Sequence, residues 1–381
     1  MHPITSRRSP ASAIVVASLI CTAGAAVGFG AGPLNPPVGP VAPTAKPIAE
    51  VEPRTAINAA NTPGDADSLF RITQPGSYYL TGNVTGVAGK SGIEVAVDNV
   101  SIDLNGFTLT GVTGSLAGVT TSISTATRLN NGTVQGWEDD GVRLSDFAVV
   151  TRVTTRDNVG GGINVGQSAV VTDCIAEGND EQGFVANAGS ALTSCVARNN
   201  TLDGFVLNAC TVTGCTARVN GGSGFALQTA GVLSSCSGSS NSDNGATIAT
   251  SGAFSSLVVD CAFSSNGADG ISVSGNSTIR GCTLTGNGTG AATGAGLRIA
   301  GSDCRIEGNH CTDNERGILA SAAGNFIVRN TCAGNTTNWE LVANNVVGPI
   351  VDRTAPASAA ILGNAAPSSL GTTDPNANFS Y

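Results

Sequence analysis

The chain has 381 residues, a formal net charge of -9, 12% charged residues, 51 glycines and 4% aromatics. That acidity argues against nucleic acid, anionic membrane surfaces and the steering of acidic polymers, an average that a local basic row can override. So much glycine with so little charge argues against a helix-rich body.

At the N-terminus, Arg7-Arg8 precede the small apolar run Ala13 to Val27. Its length suits the apolar region of a secretory signal and falls short of a membrane span. Residues 1-30 are therefore expected to be a signal peptide, with Ala23-Gly24-Ala25 as a cleavage pattern. The protein is expected to be exported to the periplasm, the cell surface or the medium, with no membrane span in the mature chain. Residues 31-66, with Pro33, Pro36, Pro37, Pro40, Pro43, Pro47, Pro53 and Pro63, form an extended lead-in.

From residue 67 to 350 one unit recurs. Glycine followed by an apolar residue stands at Gly92-Ile93, Gly118-Val119, Gly141-Val142, Gly162-Ile163, Gly183-Phe184, Gly204-Phe205, Gly224-Phe225, Gly245-Ala246, Gly270-Ile271, Gly296-Leu297 and Gly317-Ile318, in steps of 20 to 26 residues. Each glycine opens an apolar-x-apolar segment such as Ile163-x-Val165, a short strand with one inward face. Asn158, Asn179, Asn200, Asn220, Asn241 and Asn266 lie four residues before their glycines, where amides stack from coil to coil. Five residues earlier stand Val153, Cys174, Cys195, Cys215, Cys236, Cys261 and Cys282. Three short strands and three turns in about 21 residues describe an all-β parallel β-helix of about twelve coils, spaced roughly 4.8 Å apart. The 23- to 26-residue steps into Gly118, Gly141, Gly270 and Gly296 mark coils with extra turn residues. Residues 351-381 lose the repeat and form a tail.

The Cys-x-x-x-x-Asn-x-x-x-Gly coils, with the lead-in Phe70 to Leu80 and Val100 to Phe107, resemble the right-handed parallel β-helix repeat proteins of the pectate-lyase-like superfamily. The resemblance implies a single-stranded, right-handed solenoid. It chooses no activity, because that superfamily holds lyases, glycosidases, epimerases, esterases, tailspikes and adhesins.

The cysteine column is expected to be a ladder of small buried hydrophobes, with Cys304 and Cys311, which leave the register, as the bridged pair. His310 beside Cys311 suggests a nucleophile pair that lacks an activator. Carboxylates gather just before the glycines: Glu138-Asp139-Asp140, Asp180-Glu181, Asp203, Asp243, Asp269, Asp313 and Glu315. They serve either as solvated turn residues or as paired carboxylates for sugar chemistry. Glu138, Asp139, Asp140, Arg156 and Arg198 are the catalytic candidates; Asp139, Asp140, Asp180 and Glu181 are candidate Ca2+ ligands. Trp137 is the candidate sugar-stacking ring, and the outward row Arg156, Glu177, Arg198 and Arg218 the candidate polysaccharide contact. Val185, Val206 and Ala226 form an outward apolar stripe expected to lie under an extension or a subunit contact. Three functions stay open: an exported binder of polysaccharide along a long face, with cleavage an open question; a non-catalytic structural or adhesive component; and a calcium-dependent lyase or glycosidase.

Overall fold

The computed structural model describes residues 52-122, 124-249, 254-288, 294-352 and 373-381, which fall within one compact unit, Ile48-Tyr381. The expected signal peptide, most of the lead-in and much of the tail lie outside these residues. The fold is a right-handed parallel β-solenoid. One face is a 13-stranded sheet running from Ser68-Ile72 to Thr337-Leu341, so the coils number close to the twelve expected. The other two faces belong to a 26-stranded sheet. A coil is typified by Ile163-Val165 on face one, Val170-Thr172 on face two and Ile175-Glu177 on face three. Each strand pairs in parallel with its copy one coil on: Phe184-Ala186, Ala191-Thr193 and Val196-Arg198.

Inside, identical positions stack. Phe184, Phe205 and Phe225 lie ring on ring with centroids 4.8 Å apart. In the next coil face one offers only Ala246, and the lost volume returns from face three, where Phe263 succeeds Gly238. The Phe263 ring meets Phe225 edge-on at 6.1 Å, and a Cβ on Gly238 would stand 2.8 Å from it. Volume is thus conserved across the core although the column changes face.

The recurrent glycines are required by close approach. A Cβ on Gly204 would lie 2.7 Å from the Gly224 carbonyl oxygen and 2.9 Å from the Asn220 amide. The same collision with the next coil's backbone recurs from Gly92 to Gly317. Beside this row runs the asparagine ladder. From Asn158 through Asn179, Asn200, Asn220, Asn241, Asn266, Asn287 and Asn314 to Asn335, each Nδ2 donates to the Oδ1 one coil on at 2.8-3.0 Å. That Oδ1 also accepts the preceding coil's backbone N-H, as Asn200 does from Asn179 at 3.1 Å.

The cysteine column turns the second corner, and its sulfurs play a weak version of the same part. Cys195 N-H points to the Cys215 Sγ at 3.4 Å and Cys236 N-H to the Cys261 Sγ at 3.4 Å. After Cys282 asparagine takes over: Cys282 N-H donates to Asn309 Oδ1 at 3.0 Å, and Asn309 donates to Asn330 at 3.0 Å. A third short ladder, Asn325 to Asn345, follows Cys304 at the first corner. All ten described cysteines are buried free thiols, which corrects the expected Cys304-Cys311 bridge. Cys304 turns the first corner, whereas Cys311 lies inside a face-three strand stacked on Cys332. Burial pushes the Cys210 thiol up to about 11, so it is a poor nucleophile at neutral pH.

The corners bend through residues in the left-handed region. Many of these are not glycine: Arg152, Asp173 and Ser194 at the second corner, and Asp157, Asn199 and Val219 after face three. Val219, with φ 55° and 42% exposed, is β-branched where such residues are strained. Val219→Gly is expected to stabilise the fold by about 1 kcal/mol in denaturant unfolding, since relief of strain exceeds the added chain entropy.

Val185, Val206 and Ala226 are partly exposed on face one. The described parts of the extensions pair at the two ends of the solenoid: Thr55-Ala56 on Tyr78-Tyr79, and Asn378-Ser380 on Ile350-Asp352 and on Thr331-Cys332. Among the described residues, the expected cover over that stripe is therefore absent.

Candidate functional site

Trp137 is fully buried, which removes it as a sugar platform. It occupies the asparagine position one coil before the ladder starts: its backbone N-H donates to Asn158 Oδ1 at 3.0 Å, and its indole N-H reaches the Leu109 carbonyl at 3.4 Å. The ring fills space kept open by Gly86, Gly92 and Gly118, whose added Cβ atoms would meet it at 2.8-3.0 Å. Its sequence neighbours explain the misreading: an acidic turn beside an aromatic looks like a sugar site, yet the stack makes this aromatic the cap of a buried column.

Asp139 and Asp140 are held by Arg143. Its Nε donates to Asp140 Oδ2 at 2.9 Å and its Nη2 donates to Asp139. Asp140 also accepts the Gly161 N-H at 2.8 Å and the Asn164 amide at 3.3 Å, so its lone pairs are occupied by the turn. Glu138 is exposed. Asp180 and Glu181 stand two coils beyond Glu138 and Asp139, with Val159 and Gly160 between; two coil spacings are about 10 Å. These carboxylates therefore do not converge on one ion, which corrects the candidate calcium set. Among the described residues, the one group close enough is Asp65, Asp67 and Glu94. There Arg71 donates to Asp65 and approaches Glu94 at 3.7 Å, while Lys90 caps the Asp65 and Ser68 carbonyls. Arg71 thus already faces two of the three carboxylates.

Arg156, Glu177, Arg198 and Arg218 stand in register on face three. Glu177 pairs with Arg198 at 2.9 Å, but Arg156 turns back to donate to Gln135 at 2.7 Å. The Arg218 guanidinium has no hydrogen-bond or ion-pair partner among the described residues. The row continues as Ser239, Ser264, Thr285 and Thr312. Arg156 and Arg198 thus bond Gln135 and Glu177, while Asp139 and Asp140 are held by Arg143, so the four do not form one hydrogen-bonded set. His310 lies outward on face three while Cys311 points into the core, so they are not a nucleophile pair.

A polar group that spacing alone underrated borders face one where the third corner enters it. Asp203 accepts the Ser223 N-H at 2.6 Å, and the Ser223 hydroxyl donates to Asp243 at 3.1 Å and meets Thr247 Oγ1 at 3.0 Å. Asn244 accepts the Asp269 N-H at 2.8 Å. Asp269 is buried, accepts the Ala295 N-H at 2.7 Å and pairs with Arg298 at 2.5 Å. Burial, reinforced by the Asp243 charge, raises the Asp203 carboxyl above the usual carboxylate range. Burial raises Asp269 as well, with Arg298 working against it. Both carboxyls therefore keep a proton to higher pH than ordinary aspartates. The group sits on an open edge; the hollows found among the described residues lie elsewhere, as along Cys210, Gly231 and Ser256.

The sequence model described as "Right handed beta helix region" matches residues 231-351. No match is found among curated proteins. Among solved structures, the A-module of the mannuronan C-5 epimerase AlgE6 from Azotobacter vinelandii is 17% identical with a TM-score of 0.58, over 72% of this chain and 90% of that one. The AlgE4 A-module from the same organism gives 17% and 0.56, over 72% and 91%. The periplasmic alginate epimerase AlgG gives 13% and 0.51, over 72% and 77%. At these identities the likeness is one of fold. By its fold, this chain is a right-handed parallel β-helix, and residues 231-351 match the model of that repeat region.

Proposed function

We propose that this is an exported protein that binds polysaccharide along face three, with the row Arg156, Glu177, Arg198 and Arg218 and the hydroxyl row beyond it as the contact. The observation that carries the reading is an exposed, in-register polar row on a rigid sheet, one side chain per coil, in which Arg218 keeps all its donors free. A polymer is the ligand that matches a contact repeated along an axis, and guanidinium groups suit a carboxylate-bearing one. The names of the structural neighbours, which place them on mannuronan and alginate, support the same ligand class. Export rests on the N-terminal sequence.

Retention during electrophoresis through gels containing alginate, polygalacturonate or dextran tests this. The protein is expected to be retarded by the acidic polymers, and less so as salt rises. Arg156→Ala with Arg218→Ala is expected to weaken that retention about tenfold, as loss of two charge-assisted contacts would. Free migration through every gel would refute the binding reading and leave the structural or adhesive rod.

The raised carboxyl of Asp203, joined through Ser223 to Asp243, favours a second, catalytic reading. It requires new reducing or unsaturated ends from one of those polymers, lost in Asp203→Asn.

A further inference from the structure

At the first corner one side chain has no place in the core, although its backbone N-H donates to the Gln167 carbonyl at 2.8 Å. Phe147 is 58% exposed and its backbone lies at φ 60°, in the left-handed region where a bulky side chain is strained. The neighbouring coils fill that place with Ala126 and Ser168, at φ 56° and 54°, and then with Gly189 and Ala209. A small residue or glycine therefore satisfies the corner, and the core gains little from the ring. Left-handed backbone is common at these corners, as at Val219; what sets Phe147 apart is a large exposed aromatic ring there.

Its surroundings suit a sugar. Arg128 is exposed, lies one coil back opposite Val149, and has no hydrogen-bond or ion-pair partner among the described residues. Arg128 also lines a hollow with Asn99, Val100, Ser101 and Ala126. The carboxylates nearby are engaged: Asp146 accepts the Gln167 N-H at 2.7 Å, Asp98 the Thr125 N-H at 2.7 Å, and Asp103 pairs with Arg54 at 3.0 Å. Beyond Phe147, face two presents an aliphatic row of Val149, Val170 and Ala191 beside a hydroxyl row of Thr151, Thr172 and Thr193.

We infer that Phe147 and Arg128 form a pyranose-binding subsite at the first corner, in which the apolar face of a sugar ring stacks on Phe147 while Arg128 and Asn99 hydrogen-bond its edge. The subsite is separate from the row on face three, and it rests on the reading of the chain as a polysaccharide binder. The apolar-and-hydroxyl character of face two matches the two sides of a pyranose chain and extends the contact beyond one ring.

The test uses Phe147→Trp, Phe147→Gly and, as control, Val219→Gly, with alginate, polygalacturonate, xylan and dextran as probes. Phe147→Trp keeps the aromatic platform and adds an exposed indole to the buried Trp137 and the half-buried Trp339. Its emission is expected to shift with the polymer that retards the unmodified protein, while the unmodified protein's emission stays constant. Phe147→Gly is expected to bind that polymer about fivefold more weakly, the share of one aromatic contact, with an unfolding midpoint no lower than the parent's. Val219→Gly is expected to bind as the parent does. Unchanged retention of Phe147→Gly, or a silent indole in Phe147→Trp at polymer concentrations that retard the parent, would overturn the subsite alone. A parent retarded by none of the four polymers would overturn the binding reading itself.

Discussion

Asn200→Ala is expected to cost about 3 kcal/mol, because it strands groups that have no water to turn to. In the folded chain the Asn200 Oδ1 accepts the Asn179 backbone N-H at 3.1 Å and the Asn179 Nδ2 at 2.9 Å. Its own Nδ2 donates to the Ala176 carbonyl at 3.1 Å and to Asn220 Oδ1 at 3.0 Å. All three asparagines are buried. Alanine removes one acceptor that served two donors, so the loss exceeds that of a single exposed hydrogen bond. Asn200→Asp is expected to cost more, since a buried carboxylate would face the Asn220 Oδ1 and the Ala176 carbonyl as acceptor against acceptor. Chemical denaturation with amide hydrogen exchange measures both, and the loss of protection should centre on the coils that carry Asn179, Asn200 and Asn220, because each coil touches only its neighbours.

Phe205→Ala is expected to cost about 4 kcal/mol, the larger of the two effects. Phe205 is fully buried and stacked at 4.8 Å on Phe184 and on Phe225, so alanine leaves a cavity with aromatic rings above and below. The backbone cannot collapse into it, because the strand on either side is pinned by its own ladder hydrogen bonds. Phe205→Ala combined with Phe225→Ala is expected to cost less than the sum, since the two share one cavity. The same denaturation and exchange measurements decide this.

The solenoid was legible because its side-chain pattern is dictated by stacking: a residue that fits one coil must fit its copies above and below. Glycines, inward apolar pairs, cysteines and the first asparagine row all show that periodicity. The short asparagine ladder at the second corner was legible in principle, since Asn309-x-x-x-x-Asn314 and Asn330-x-x-x-x-Asn335 repeat the spacing of Cys282-x-x-x-x-Asn287. Cysteine and asparagine differ as sequence signals, yet both accept the same backbone N-H at that corner. The glycine row was found correctly, but its cause was hidden: a collision with the next coil's carbonyl is a long-range fact.

The candidate site was far less legible. Trp137 looked exposed because its neighbours are acidic, and only the stack shows that it begins the ladder. The acidic residues shared a turn position, but alternate coils carry Val159, Gly160 or Gly161 there, so common position did not mean proximity. The Asp203-Ser223-Asp243-Asp269 group depends on residues from four coils. Phe147 gave no signal at all, because neither its exposure nor its backbone strain can be read from composition or spacing.

The central claim is that a polymer lies along the axis of the solenoid, and the most direct measurement is binding of oligouronates of increasing length by titration calorimetry. The row from Gln135 to Ser239 spans five coil steps, about 24 Å. Affinity is expected to keep rising as the oligomer grows from two units to the length that covers this span, and then to level off. Affinity that is complete at a disaccharide, or no heat at any length, would contradict the account.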